Sequence, residues 1–104
     1  MITYQVEVVV PATLVDQWVQ YMTSEHINDV LETGYFVSAR LVKLIDPMVA
    51  DAAVFRVIYR AHSQEALDTY RRDSAPALQA HHTMMFGDAV KASRSVTVDV
   101  WPSD

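Results

Sequence analysis

Cysteine is absent from this chain, which excludes disulfides, thiolate metal sites and cysteine nucleophiles. Glycine occurs only twice, at Gly34 and Gly87. No glycine-rich loop is therefore present to cradle a phosphate, and neither a GxSxG elbow nor a paired-carboxylate motif occurs. Basic residues are missing from positions 1–39, where Glu7, Asp16, Glu25, Asp29 and Glu32 stand without a counter-charge. From Arg40 onward eight basic residues meet eight acidic ones, leaving a net charge of −5. Binding of nucleic acid needs a basic stripe or arm against the phosphates, so nucleic acid is not an expected partner. Apolar runs all fall far short of the ~20 residues of a membrane helix, and a membrane is not expected either. The opening MITYQVEVVV lacks the basic region and small-residue cleavage site of a signal peptide. A cytoplasmic location is the default expectation.

What is present suits one small domain spanning residues 1–104. A chain of this size buries roughly 60–70% of its unfolded surface. Hydrophobic residues make up 51% of it, slightly rich for so small a body. Part of that surplus should stay on the surface, which favours self-association.

Alternation opens the chain. Tyr4, Val6, Val8 and Val10 share one face of a strand over Ile2–Val10, and Pro11 closes it. Thr13 is placed to cap a helix in which Leu14, Val15, Trp18, Val19 and Met22 form one apolar stripe. After Ser24 the stripe drifts: Glu25 and Asp29 take the old apolar sector while Ile27, Val30 and Leu31 open another. A straight helix cannot bury both sectors against one sheet, so a kink or break is predicted within Thr23–Asn28, with Gly34 as the C-terminal glycine. Tyr35–Ile45 and Ala53–Ala61 read as strands joined by a turn containing Asp46–Pro47. Ser63 should cap the second helix, with Glu65 in its first turn. Leu67, Tyr70, Ser74, Leu78, His81 and Met85 fall on its inner face, and Pro76 predicts a bend near Asp73–Pro76. Gly87 ends that helix before a last strand over Val90–Trp101.

The order β–α–β–β–α–β implies an α+β fold of the ferredoxin-like kind: an antiparallel sheet with two helices on one face. The other face carries Glu7, Val9, Arg56, Ile58 and Arg60. A second copy covering it would close two sheets into a dimeric α/β barrel; otherwise it is a wet face with cross-strand Glu/Arg pairs.

Six residues stand out as candidates for chemistry. His26, flanked by Glu25 and Asp29 at the expected kink, is a candidate proton-transfer group with its pKa raised by the acids; otherwise it is a helix-end histidine satisfied locally. His81 is expected to turn toward the sheet and His82 about 100° away. His81 can orient a ligand or bind a haem iron, or serve as a hydrogen-bonded core histidine. The two helices should place His26 and His81 on the order of 10 Å apart, too far for one metal with ~2 Å bonds, so no metal is expected. Trp18 and Met22, like Met84, Met85 and Phe86, are core packing or the wall of an apolar pocket. Arg40 and Arg94 stand in otherwise apolar strands, where a guanidinium needs a carboxylate or an anion: an acidic ligand, or an inter-subunit partner such as Glu7.

The run Trp18, Tyr21, Met22, Glu25, His26, Ile27, Asp29, Val30, Leu31, Thr33, Gly34, Tyr35, Phe36 resembles a bacterial family of small proteins classed only as a domain of unknown function. Tyr70, Asp73, Ala75, Pro76, Leu78 and Phe86, Gly87, Asp88 extend the resemblance nearly end to end. It implies a dimeric α/β barrel and no established activity. His26 matches the family motif, Asn28 stands where the family often has proline, and His81 stands where an acidic residue is common. The wider superfamily of such barrels includes cofactor-free monooxygenases, haem-degrading enzymes and small isomerases that use the cavity between helices and sheet, an analogy at fold level. Three readings are open on these grounds. The first is a homodimer holding a small-molecule ligand in that cavity, with no cofactor called for. The second is a monooxygenase-like or isomerase-like enzyme with His26 as acid/base and Arg40 or Arg94 on a substrate anion. The third is a haem-binding protein with His81 as axial ligand.

Overall fold

The computed structural model describes residues 1–102. β1 (Ile2–Pro11) occupies the interior of a four-stranded sheet beside β3 (Ala52–Ala61), with β2 (Phe36–Lys43) and β4 (Lys91–Val98) at the edges, in the order β2-β3-β1-β4. Every pairing is antiparallel. Tyr4 lies opposite Tyr59 and Val6 opposite Val57, so the even positions of β1 and the odd positions of β3 share the face that the helices cover. Tyr4, Val8, Val10, Val57, Tyr59 and Ala61 are buried there. This is the ferredoxin-like α+β fold expected from the element order.

The first helical arm is α1 (Val15–Tyr21), a π-helical turn at Met22–His26, and α2 (Ile27–Glu32). The Ile27 amide donates to the Met22 carbonyl, five residues back, and Asn28 Nδ2 donates to the Thr23 carbonyl at 3.3 Å. One extra residue in the turn rotates the remainder of the arm by about 100°. That rotation is how Trp18, Tyr21 and Met22 on one side of it and Val30 on the other all reach the core. The predicted break therefore takes the form of a π turn, not an open kink. Thr13 makes no capping bond; the chain enters the arm through a 3-10 turn at Ala12–Leu14. Gly34, at φ +84°, terminates the arm in a conformation unfavourable for side-chain-bearing residues.

The second arm is α3 (Gln64–Asp73) and α4 (Ala75–Phe86), meeting at Ser74. Ser63 caps α3, its hydroxyl accepting from the Ala66 amide at 3.0 Å. Leu67 and Tyr70 face inward on α3, but on α4 the buried residues are Ala75 and Phe86. The expected inner stripe of Leu78, His81 and Met85 is thus displaced by about one residue. The change of axis at Ser74, with Pro76 immediately inside α4, rotates the second segment; Met85 is half exposed while Phe86 is buried.

Both edge strands are shorter than predicted: β2 starts after Tyr35, and β4 stops at Val98. Beyond it, the Asp99 carboxylate binds Arg60 at 2.7 Å and its amide donates to Met1. The face away from the helices is more polar than its β1 and β3 residues suggested. Ser38 and Arg40 of β2 and Ser93, Ser95 and Thr97 of β4 join Thr3, Gln5 and Glu7 on it, and Glu7 pairs with Arg56 at 2.9 Å. Among the described residues no helix is long and apolar enough to cross a membrane.

Candidate functional site

A cavity of about 210 Å³ opens between the two helical arms and the sheet. Its floor is the helix-covered face: Tyr4, Val6 and Val8 of β1, Val57 and Tyr59 of β3, and Ala92 and Arg94 of β4. Met22 and His26 come from the first arm, and Tyr70, Gln79, His82 and Thr83 from the second. Each arm therefore delivers its histidine just past its own irregularity. The π turn brings His26 onto the stripe one turn after Met22, and the break at Ser74 brings His82 round in place of His81.

The two imidazoles stand edge to face, 5.7 Å between ring centroids. His26 is half-buried and makes no hydrogen bond among the described residues, although its ring also packs against Tyr21. Its pKa is not raised by the flanking acids, as expected from sequence, but pulled down to about 4. Burial is the main cause; His82, His81 and Arg94 add to it and outweigh Asp29. Glu25 lies on the exposed side of the turn. His26 is thus a free base at neutral pH. Burial and Arg94 lower His82 as well. Burial first raises Tyr59 above the usual phenol range and Tyr70 to about 12, so both hydroxyls keep their protons as donors.

Of the other residues singled out in the sequence, Met22 and Arg94 line this cavity and three do not. Arg40 is exposed on the opposite face of the sheet, across from Ile58. Trp18 is fully buried behind the wall, where it packs on Phe55 and its indole N–H donates to His82 Nε2 at 3.0 Å. His81 stands outside the lining, its Nδ1 2.7 Å from the Tyr21 hydroxyl. Register separates the two arginines: Arg94 lies opposite Val6, on the helix side. His82, Gln79, Thr83 and the two tyrosines were missed; the one signal for His82 was the bend at Pro76, which shifts the phase of everything after it.

Three or more histidine and carboxylate side chains able to hold a metal do not converge anywhere among the described residues. A porphyrin does not fit either. Roughly 150 Å³ holds a benzene, so this cavity takes about one substituted ring, and His81 is turned to Tyr21 instead of into it.

The family model for the domain of unknown function DUF4286 matches residues 1–100. The chain belongs to that family. No curated protein matches this member in sequence. Among solved structures it is similar to HapK from Hahella chejuensis, at 10% identity and a TM-score of 0.71 over 100% of this chain and 97% of that one. A dimeric ferredoxin-like protein from an uncultured marine organism matches at 10% identity and 0.59, over 98% and 97% of the two chains. A MhuD variant with two manganese protoporphyrin IX molecules bound per active site matches at 14% and 0.64, over 98% of each. At such identities the likeness is one of fold.

Proposed function

We propose that this DUF4286 protein is a homodimer that holds a small molecule in the cavity between its helices and sheet. The observation that carries the reading is His26, whose imidazole lines the cavity unprotonated and without a hydrogen-bond partner among the described residues. Buried polar groups are normally satisfied within the protein; one left open inside a concave, mostly apolar site is placed for a ligand. Self-association is supported by the fold shared with a dimeric ferredoxin-like protein. It is also supported by β4, exposed along its whole length and followed by Val100 and Trp101, each 84% exposed, an edge that proteins usually cover. Native mass spectrometry of the protein purified from its own host tests both parts. A dimer carrying a discrete, ring-sized adduct that His26→Ala loses is the expected result. A monomer overturns the dimer, and an adduct indifferent to His26→Ala overturns the site.

The enzymatic reading draws on the same residue. An unprotonated imidazole facing Arg94 can take a proton from a ligand whose resulting anion the guanidinium holds. Turnover of the bound molecule by the parent protein, abolished in a folded His26→Ala variant, is the corresponding test.

A further inference from the structure

The Trp18–His82 contact constrains more than packing. An indole N–H is a donor and never an acceptor, so its 3.0 Å bond to His82 Nε2 requires a lone pair on that nitrogen. A neutral imidazole with Nε2 as acceptor carries its proton on Nδ1. Trp18 is fully buried; moving the proton to Nε2 would strand the indole N–H where water cannot reach it, which is costly. His82 is therefore held in one tautomer from behind the cavity wall. Its other nitrogen has no partner among the described residues, and Nδ1–H is the ring position left to meet a ligand.

Arg94 enters the same cavity from β4 and has no carboxylate partner among the described residues. Glu7, the acid one would look to, faces the other side of the sheet and is engaged by Arg56. The cavity thus has two side chains with hydrogens to give, one of them cationic, and across from His82 an imidazole free to accept. Its lining contains no acidic residue. We propose that Trp18 holds His82 as an Nδ1–H donor, and that His82 and Arg94 together anchor a compact ligand through a carboxylate or comparable anionic oxygen. The inference deepens the binding reading above and rests on it. Trp18 is here a positioning residue: it touches His82, not the ligand.

Side-chain ¹⁵N–¹H NMR of the histidines at pH 7 reads the tautomer directly, with benzoate and its uncharged analogue benzyl alcohol as probes. In the parent protein His82 should be protonated at Nδ1 and bare at Nε2, and Trp18→Phe should release it into a mixture of tautomers. Benzoate should bind roughly tenfold tighter than benzyl alcohol, the scale of one charge-assisted contact, and Arg94→Gln should erase that preference. A proton on Nε2 of the parent protein, or equal affinity for the two probes, overturns the inference while leaving the binding reading in place. Failure of both probes to move any cavity resonance overturns both. Should Trp18→Phe not fold, the parent tautomer and the Arg94→Gln comparison decide the matter alone.

Discussion

Replacing His26 by glutamine removes a titrating ring from the cavity, and the structure gives the size and sign of the change to expect. The native pKa is pulled to about 4 from an ordinary 6.5. Between those values the unfolded chain binds a proton that the native protein refuses. Stability therefore rises with pH across this window: the contribution is fully present above 6.5 and is lost as pH falls toward 4. Integrated to pH 5, the gap amounts to about 2 kcal/mol, and water at the cavity mouth reduces it to about 1–2 kcal/mol. The groups facing His26 set the direction, with His82, His81 and Arg94 opposing its charge and Asp29 favouring it. Urea unfolding at pH 8 and pH 5, at one fixed protein concentration, is the assay. The parent protein should lose about 1–2 kcal/mol more than His26→Gln between the two pH values, a midpoint difference on the order of 1 M. His82, lowered in the same direction, remains in both proteins and cancels. Parallel behaviour of the two proteins would refute the claim that His26 is held neutral by its surroundings.

Other substitutions test the scaffold around the site. Leu67→Ala, at a fully buried position of α3, should cost about 2–5 kcal/mol in chemical denaturation. Ser63→Ala, which removes the hydroxyl accepting from the Ala66 amide, should cost about 1 kcal/mol. Gly87→Ala should cost about 1–3 kcal/mol, because the residue sits at φ +58°, ψ −145°, where a Cβ is strained whatever space surrounds it. Glu7→Gln should change stability by less than about 1 kcal/mol, since its bridge to Arg56 is more than a third exposed on both sides.

The sheet was legible because strand alternation is local. Tyr4, Val6, Val8 and Val10 announce the face of β1 that the helices cover, and the Ser63 cap marks where α3 begins. The drift of the apolar stripe after Ser24 announced a break, though not that a single π turn would supply it. The site was less legible because its residues depend on helical phase and on burial. Pro76 signalled a bend, yet the stripe was carried straight through it, so His81 was expected where His82 stands. Arg40 and Arg94 look alike in sequence; only register places one opposite Ile58 and the other opposite Val6. The direction of the His26 shift was missed for a related reason. Sequence shows the acids beside a histidine, but not that Glu25 points to water or that His82 and Arg94 come close through the fold.

A crystal structure of the protein purified from its own host bears most directly on a ligand in the helix–sheet cavity. The expected result is a ring-sized molecule between the arms, with an oxygen toward Arg94 and His82 and a hydrogen-bonding group within reach of His26. A cavity filled by water alone, or plugged by a side chain from a second copy, would contradict it.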